Sequence, residues 1–404
     1  MKEKRISELL MALCFAGFLS LILVTTVLLA QIKTAYYENR SLAGIPELTA
    51  ESVLNGAFFD GFDQALADHC AGRTTMLKAK TAMDLAVNVK LLRCPVVNEV
   101  VVKDDLLLPF IEYETVCPSL LSEQAMLLAD NVASVRDATE SYGGRYFFVA
   151  VPCQYVSFQE EYPFYLNNRA EFTEVTKTAL LESLAARQVD VVDMGPVLAS
   201  PEIRDQAASR VDNHYTMYGA YLTYLEIMQA INGTRETPLT VLKEGDFDMT
   251  ELPNHYMGSR TRKLIDLSSV KEQVSILSPA EPVRFRRYNY GSEVEPSVYA
   301  MPATEYDVVD YGIYMGGDIA ETLIDTQRDE LPSILVYGDS FTNAVECVLY
   351  YGFNQMRSLD FRYYTEMSLG EYIETWQPDY VVCIRDYEQL ANPTFNGSGA
   401  EFQP

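Results

Sequence analysis

The sequence predicts an α/β protein whose mostly parallel sheet is flanked by helices and preceded by one transmembrane helix. Three observations carry this prediction. An uncharged, mostly apolar run occupies residues 9–30. Strand-like and helix-like segments alternate from residue 96 onward, which is typical of a parallel sheet with helices on both faces. One strand-like run, "SILVYG", ends abruptly at Gly338-Asp339-Ser340 and continues with helical spacing.

The N-terminal apolar run is long enough to cross a bilayer. Its 22 residues follow Lys2, Lys4 and Arg5, and at about 1.5 Å per helical residue they span a hydrocarbon core of about 30 Å. A cleaved signal peptide usually has an apolar region of only about 7 to 15 residues and a small-residue cleavage site, which "LLAQ" fits poorly. The sequence therefore predicts that residues 1–33 are a cytoplasmic N-terminus and an uncleaved signal anchor. We expect a single-pass protein of the cell membrane whose remaining residues are extracytoplasmic.

The composition is that of a folded, exported protein. The net charge of −26 repels nucleic acid and anionic lipid, so we expect neither as a partner. A hydrophobic content of 48% argues against disorder. None of the seven cysteines stands in a C-x-x-C or His-rich spacing, so the sequence predicts no metal and no other cofactor. Six cysteines outside the anchor allow disulfides, and their pairing stays open.

Beyond the anchor, the chain divides into a lead-in and an α/β domain. Residues 34–95 form the lead-in, an extended stretch followed by helical spacing at 58–67 and 74–89. Residues 96–404 form the α/β domain, and short polar and aromatic runs at about 245–310 predict a β-rich insertion in it. Its predicted strands are at 98–103, 145–152, 189–194, 333–338, 356–364 and 379–385. Its predicted helices are at 120–142, 172–187, 341–351 and 369–375.

Ser340 stands at the carboxyl end of a predicted strand and opens a helix. Gly, Asp and Ser are ordinary turn formers, so the stretch has a purely structural interpretation. The chemical interpretation is that an α/β enzyme displays a nucleophile at this kind of position. The amide of Ser340 and one near Thr342, at the helix amino end, are then candidates to hold an oxyanion.

A serine nucleophile needs a base, and the sequence has only three histidines. His69 lies near the membrane lead-in and His255 in the irregular insertion. His214 follows Asp212 by two residues, just before an amphipathic helix that starts near Thr216. A neutral imidazole accepts the serine proton, and a carboxylate on its far nitrogen fixes the tautomer, so Asp212 and His214 are the preferred partners of Ser340.

The same residues also fit other roles. "DNHYT" is a plausible helix-capping turn, since Asp, Asn and Thr accept bonds from free amides at helix starts. A metal site at Asp212 and His214 is disfavoured because no His or Cys cluster supplies further ligands. Spacing alone does not decide between catalysis and capping.

Several blocks in order resemble the bacterial DHHW family and the related AlgX and AlgJ type alginate O-acetyltransferases. "ENRSLAGIP" and "FFDGFDQALADHCAGR" are similar to the family's opening, and "VDNHYT" to its Asp-His-His-Trp-Thr signature. "HYMGS" and "YGIYMGG" resemble the segments that precede the serine block, and "LVYGDSFTNAV" resembles that block itself. "LDFRYY" and "PDYVVCI" resemble the closing strands, so the likeness spans nearly the whole extracytoplasmic chain.

The resemblance implies an SGNH-hydrolase-like fold with Ser340, His214 and Asp212 as a catalytic triad. It implies transfer or hydrolysis of acyl groups, typically acetyl, on a glycan, with a multispanning membrane acyltransferase as the source of the acetyl group. The candidate substrate or oxyanion contacts are Thr342, Tyr215, Ser259 and Arg362.

Three departures from the family pattern bear on those contacts. Asn213 and Tyr215 stand where the signature has His and Trp, and Gln154 stands where relatives usually carry Lys. Asp212 and His214, which the resemblance implies to be catalytic, are retained. Arg362 either faces the site or pairs with a carboxylate, and the sequence leaves both open.

Three functions are compatible with the sequence. The first is a membrane-anchored O-acetyltransferase that acts on a cell-surface or exported polysaccharide. The second is a carbohydrate esterase that uses the same residues with water as the acceptor. The third is a non-catalytic glycan-binding or assembly protein, in which some of the 27 tyrosines and 18 phenylalanines stack on sugars rather than fill the core.

Overall fold

The computed structural model describes residues 2–29, 32–38, 40–91, 94–390 and 392–399. The chain forms two compact units. The first comprises Met1–Val100 together with Thr261–Ser268, and the second comprises Val101–Arg260 together with Ser269–Pro404. The functional candidates named above all belong to the second unit, which is therefore the focus below.

The secondary-structure elements are numbered in chain order. The helices are α1 (Lys2–Leu29), α2 (Ala50–Leu54), α3 (Ala57–Asp68), α4 (Arg73–Leu91), α5 (Pro118–Ser141), α6 (Gln154–Ser157), α7 (Ala170–Ala186), α8 (Gly195–Leu198), α9 (Arg204–Ala207), α10 (Met217–Gly233), α11 (Ser259–Lys263), α12 (Thr342–Leu349) and α13 (Leu369–Trp376). The strands are β1 (Thr34–Ala35), β2 (Arg40–Ser41), β3 (Val96–Val97), β4 (Val100–Val102), β5 (Leu107–Pro109), β6 (Arg145–Val151), β7 (Asp190–Asp193), β8 (Phe247–Glu251), β9 (Ser275–Pro279), β10 (Arg286–Asn289), β11 (Ser292–Val294), β12 (Glu321–Asp325), β13 (Ile334–Gly338), β14 (Gln355–Leu359) and β15 (Tyr380–Asp386).

The first unit carries the N-terminal apolar helix. Within α1, residues Ile6–Thr26 are long and apolar enough to cross a membrane, and only 6% of the tested window is buried. A signal sequence near an N-terminus satisfies the same criterion. The lead-in helices predicted at 58–67 and 74–89 are confirmed as α3 and α4.

The second unit is built on an eight-stranded sheet with the order β11-β10-β12-β14-β13-β15-β6-β7. The strands from β14 to β7 are parallel, whereas β12, β10 and β11 add an antiparallel edge. The predicted mostly parallel sheet with flanking helices is thus confirmed. The β-rich insertion contributes the separate antiparallel pair β8 and β9, and it also supplies β10 and β11 to the edge of the main sheet.

The centre of the sheet is buried on both faces. Every residue of β13 and β15 is buried, which explains why their sequences are nearly continuous apolar runs without alternation. Helices α5, α7 and α13 contribute to one apolar cluster with side chains of β6, β13 and β15. Because the parallel strands are fixed in this core, the loops at their carboxyl ends lie along one edge of the sheet.

One predicted strand lies elsewhere. The run at 98–103 forms β4, which is outside the eight-stranded sheet. The strand is only three residues long, and Asp104 and Asp105 follow in a bend rather than a crossover helix, so it cannot take part in the parallel repeat.

Candidate functional site

Ser340 lies in the tight connection between β13 and α12. The Asp339 side chain organises this turn, because its Oδ1 accepts the Phe341 amide at 3.0 Å and its Oδ2 accepts the Asp386 amide at 2.9 Å. Gly338 is required just before it, since a Cβ there would lie 1.9 Å from the carbonyl oxygen of Ile384 on β15. The turn therefore presents Ser340 at the carboxyl edge of the sheet, where it remains partly exposed.

His214 connects Ser340 to Asp212. Its Nε2 lies 2.7 Å from Ser340 Oγ, and its Nδ1 lies 2.6 Å from Asp212 Oδ1. Because a carboxylate only accepts hydrogen bonds, Nδ1 carries the proton of the neutral ring and Nε2 is free to accept from the serine hydroxyl. The fold thus brings together three predicted residues although His214 and Ser340 are 126 positions apart.

Asp212 is held as a carboxylate in a buried setting. Burial alone raises the pKa of its carboxyl, but the hydrogen bond and charge of His214 and two backbone amides outweigh that effect, so the net pKa is lowered from 3.8. The amides are those of His214, at 3.2 Å, and Ser259, at 2.5 Å. An ionised Asp212 can orient the imidazole and stabilise it when it takes a proton.

Ser209 and Glu272 support the loop that carries Asp212. Ser209 Oγ accepts the amides of Val211 at 3.2 Å and Asp212 at 2.9 Å, and it donates to Glu272 Oε2 at 2.5 Å. Glu272 Oε1 accepts the amide of Arg210 at 3.2 Å. Burial raises the pKa of the Glu272 carboxyl to about 7, and the nearby Asp212 charge adds to this.

Gln154 and Arg260 support the same loop from the other side. The Gln154 amide donates to the Asn213 carbonyl at 2.9 Å, and its side-chain nitrogen donates to the Ser209 carbonyl at 2.9 Å. Arg260 Nη2 donates to the Asn213 side-chain oxygen at 3.0 Å. The Gln154 and Asn213 departures from the family pattern thus contact each other and Arg260.

Two aromatic rings hold the imidazole of His214. Tyr311 stacks on it with ring centroids 3.7 Å apart and an angle of 8° between the planes. Phe341 packs against it at 4.8 Å with an angle of 50°. These contacts restrict rotation of the ring and leave its two nitrogens aimed at Asp212 and Ser340.

The remaining predicted contact residues have different surroundings. Ser259 donates its amide to Asp212, while its hydroxyl is buried without a hydrogen-bond partner in the described chain. The Tyr215 hydroxyl donates to the carbonyl of Phe341, beneath the serine turn. Arg362 pairs with Asp360 at 2.6 Å and with Asp318 at 3.1 Å, which is the carboxylate-pairing alternative left open by the sequence.

The structure distinguishes the two candidate oxyanion amides. The Thr342 amide donates to the Asp339 carbonyl at 3.0 Å, so it is already engaged in the turn. Within the described residues, the Ser340 amide has no hydrogen bond. It lies next to the amino end of α12, where the helix dipole favours negative charge.

One group of three potential metal ligands occurs among the described residues. Atoms of Cys153, Asp386 and Glu388 lie within 4.8 Å of one another. Asp386 accepts the amides of Glu388 at 2.6 Å and Gln389 at 3.2 Å, and burial raises the pKa of both its carboxyl and the Cys153 thiol. The group is therefore explained by capping of the turn after β15. All seven cysteines are free.

Sequence reasoning missed Tyr311, Ser209 and Glu272. Tyr311 belongs to the block "YGIYMGG", which resembles the family as a whole, and the aromatic character of Tyr311 is the only signal that the block offers. Ser209 and Glu272 meet across 63 positions and carry no local motif. Their roles become visible only once the loop geometry is known.

The comparisons agree with this architecture. The model of the family described as SGNH hydrolase-like domain, acetyltransferase AlgX matches residues 120–355. Bacillus cereus PatB1, solved with a sulfonyl adduct, is 18% identical with a TM-score of 0.59, covering 72% of this chain and 95% of that one. A DHHW family protein from Eubacterium siraeum is 14% identical with a TM-score of 0.57, covering 76% of this chain and 96% of that one. The curated proteins give no significant match.

The fold and the family match define an SGNH-hydrolase-like α/β protein. The chain belongs to the family described as SGNH hydrolase-like domain, acetyltransferase AlgX, whose model covers more than half of its residues. The resemblance predicted from the sequence blocks is thereby confirmed. At identities below 20%, the solved structures support the fold alone.

Proposed function

We propose that the chain is an O-acetyltransferase that moves acetyl groups onto an extracytoplasmic polysaccharide, with Ser340 as nucleophile, His214 as general base and Asp212 as the group that orients it. The observation that carries this proposal is the pair of contacts at the imidazole, 2.7 Å to Ser340 and 2.6 Å to Asp212. Both lie in the range needed for proton transfer and for fixing the tautomer.

In the first half-reaction, Ser340 Oγ attacks the carbonyl carbon of an acetyl donor. The hydroxyl proton moves to His214 Nε2 as the Oγ–C bond forms. The tetrahedral intermediate then breaks its bond to the donor oxygen, which takes the proton from His214. The donor leaves as an alcohol, and the acetyl group remains as an ester on Ser340.

In the second half-reaction, a sugar hydroxyl attacks the Ser340 ester. His214 Nε2 accepts the hydroxyl proton and returns it to Ser340 Oγ as the new ester forms on the sugar. In both steps the Ser340 amide, next to the amino end of α12, is the candidate donor to the oxyanion. One such donor typically lowers the barrier by about 2.7 to 4 kcal/mol.

Comparisons support the acetyl chemistry and the covalent step. The family is described as an acetyltransferase, and PatB1, which has a similar fold, was solved with a sulfonyl adduct. Sulfonyl reagents modify activated nucleophiles, which makes such a reagent a suitable probe of Ser340 in this chain.

The N-terminal helix supports a membrane location. We infer that Ile6–Thr26 is an uncleaved single-pass anchor and that the α/β unit is extracytoplasmic, because Lys2, Lys4 and Arg5 precede the apolar run. A multispanning membrane acyltransferase would then supply the acetyl group from the cytoplasm.

Turnover of a chromogenic acetyl ester tests the catalytic assignment. The full-length protein in detergent should hydrolyse the ester slowly, and Ser340→Ala and His214→Ala should each lower kcat by at least about a thousandfold while keeping the wild-type circular dichroism spectrum. Asp248→Asn, at an exposed position on β8, serves as the control. Unchanged turnover in Ser340→Ala would remove the proposal.

An esterase is the second candidate, and the partial exposure of Ser340 favours it because water can reach the acyl group. Product analysis separates the two functions. Acetylated polysaccharide formed from donor and host glycan indicates the transferase, and release of acetate alone in the presence of every glycan indicates the esterase.

A further inference from the structure

Four aromatic side chains are exposed on two loops of the α/β unit. Phe164 is 100% exposed and Tyr165 is 55% exposed, and their rings meet edge to face at 5.4 Å. On the other loop Tyr113 is 85% exposed and Phe110 is 37% exposed. We call these four side chains the aromatic platform. Grouped exposed aromatic residues on a soluble domain are characteristic of ligand or partner sites.

Hydrogen bonds between the loops fix the platform. Asn167 Nδ2 donates to the Glu112 carbonyl at 2.8 Å, and Arg169 Nε donates to Glu114 at 2.6 Å. The Tyr162 hydroxyl donates to the Pro109 carbonyl at 2.8 Å. The two loops are therefore hydrogen-bonded to each other, which places their exposed aromatic residues on neighbouring segments of the chain surface.

The chain before each loop is hydrogen-bonded to the segment that carries Asp212 and His214. The Leu107 amide on β5 donates to the Arg210 carbonyl at 2.9 Å, and the chain then continues to Phe110 and Tyr113. The Gln154 amide on α6 donates to the Asn213 carbonyl at 2.9 Å, and the chain then continues to Phe164 and Tyr165. Each aromatic loop is thus preceded by a residue that is hydrogen-bonded to the segment carrying Asp212 and His214.

A second path connects the platform to the serine turn. Arg169, which follows the Phe164 loop, pairs with Glu388 at 3.6 Å. The Glu388 amide donates to the Asp386 side chain, and the Asp386 amide donates to the side chain of Asp339, which is next to Ser340. Asp386 ends β15 and Asp339 follows β13, and these two strands are adjacent, at a spacing of about 4.8 Å. The segment that carries Phe164 and Tyr165 follows β6, and it is therefore linked to the carboxyl edge of the sheet where Ser340 lies.

We propose that the aromatic platform binds the acceptor chain, a neutral polysaccharide, and guides one of its hydroxyls to Ser340. This proposal rests on the function proposed above. Pyranose rings present flat C–H faces that pack on aromatic rings, and their hydroxyls match the amide and carboxylate groups beside the platform. Glu112 and Glu160 lie near the aromatic residues in the sequence, Glu114 is paired with Arg169, and the net charge of −26 opposes a polyanionic glycan or an anionic lipid surface.

Glycan binding by the full-length protein in detergent tests the proposal. The probes are amorphous cellulose, colloidal chitin and neutral wall polysaccharide from the host, with alginate as a polyanion and phosphatidylglycerol vesicles as a membrane. We expect wild type and Ser340→Ala to bind at least one neutral polymer. The double variant Phe164→Ala with Tyr165→Ala should bind that polymer at least about fivefold more weakly. The matched control is Tyr306→Ala, which removes a tyrosine of 85% exposure from the insertion and should bind like wild type.

Several results would overturn the proposal. The first is that the double variant binds the neutral polymer as tightly as wild type, and the second is that wild type binds no neutral polymer. The third is that the double variant loses vesicle binding or self-association while its glycan binding is unchanged. Circular dichroism and the melting temperature of the double variant exclude simple unfolding, and the single variant Tyr113→Ala probes the second loop if it does unfold. Because Ser340→Ala is tested for binding, failure of the platform is distinguishable from failure of the catalytic assignment.

Discussion

The phenol ring of Tyr311 lies flat against the imidazole of His214, with centroids 3.7 Å apart and planes inclined by 8°. The Tyr311 hydroxyl is buried and has no hydrogen-bond partner in the described chain. Tyr311 therefore contacts His214 through the face of its ring and not through its hydroxyl. It holds the imidazole in the plane from which Nε2 meets Ser340.

Replacing Tyr311 should separate ring stacking from hydroxyl chemistry. Tyr311→Phe should keep nearly full turnover of an acetyl ester, because it retains the stacked ring. Tyr311→Ala should lower kcat by about threefold to tenfold, the equivalent of the 0.5–1.5 kcal/mol that aromatic pairs contribute. Steady-state kinetics check this. Equal loss in both variants would assign a role to the hydroxyl instead.

The charge of Asp212 should be essential for turnover. Asp212→Asn is expected to lower kcat by about a thousandfold to ten-thousandfold, because the amide can donate to Nδ1 and stabilise the tautomer whose Nε2 cannot accept the serine proton. The melting temperature should change by only a few degrees, since the amide oxygen still accepts a backbone N–H. A small kinetic effect would mean that the imidazole is oriented by its aromatic neighbours alone.

Much of this arrangement followed from local sequence patterns. The apolar run of β13 and its abrupt end at Gly338 predicted where Ser340 would be displayed, and the two-residue spacing of Asp212 and His214 predicted that they would act as one unit. The stacking partner could not be predicted in this way, since Tyr311 is 97 positions from His214 and nothing in its own segment indicates which loop it faces.

The oxyanion and contact predictions were less informative for a physical reason. The amide of Thr342 is engaged by the Asp339 carbonyl because the serine turn tightens before α12, and residue spacing does not report such turn geometry. The sequence left open whether Arg362 faces the site or pairs with a carboxylate, because no local pattern indicates that the remote Asp318 joins Asp360 at its guanidinium.

The buried carboxyl of Glu272 should make stability depend on pH. Its pKa is raised to about 7 from 4.5, so between these values the folded protein binds more protons at this site than the unfolded chain does. The free energy of unfolding therefore falls as the pH rises from about 4.5 to about 7, and the loss is complete above that range. Glu272→Gln removes this charge while keeping an acceptor for Ser209.

Thermal unfolding of wild type and Glu272→Gln at several pH values measures the effect. We expect the difference in melting temperature, variant minus wild type, to increase by several degrees between pH 4.5 and pH 8. Glu251→Gln, an exposed carboxyl on β8, is the control for a general charge effect. A difference that stays constant with pH would contradict a raised pKa at Glu272.

Gly338 should tolerate no side chain. A Cβ would lie 1.9 Å from the Ile384 carbonyl oxygen, so Gly338→Ala must displace β15 from β13 and move the serine turn. We expect a loss of about 1–3 kcal/mol or more in the free energy of unfolding, together with loss of turnover. Gly233→Ala is the matched control, because its Cβ would meet nothing within 4 Å. Chemical denaturation measures the free energy of unfolding of the two variants. Equal values would mean that β15 moves away from residue 338 at little cost.

The central claim is that Ser340 is the group that becomes covalently modified. Peptide mapping by mass spectrometry after brief exposure of the full-length protein to a sulfonyl fluoride or an activated acetyl ester tests this most directly. The account predicts one adduct, located on Ser340, that forms far more slowly in His214→Ala. An adduct on another residue, or equal labelling of Ser340 with and without the imidazole, would contradict it.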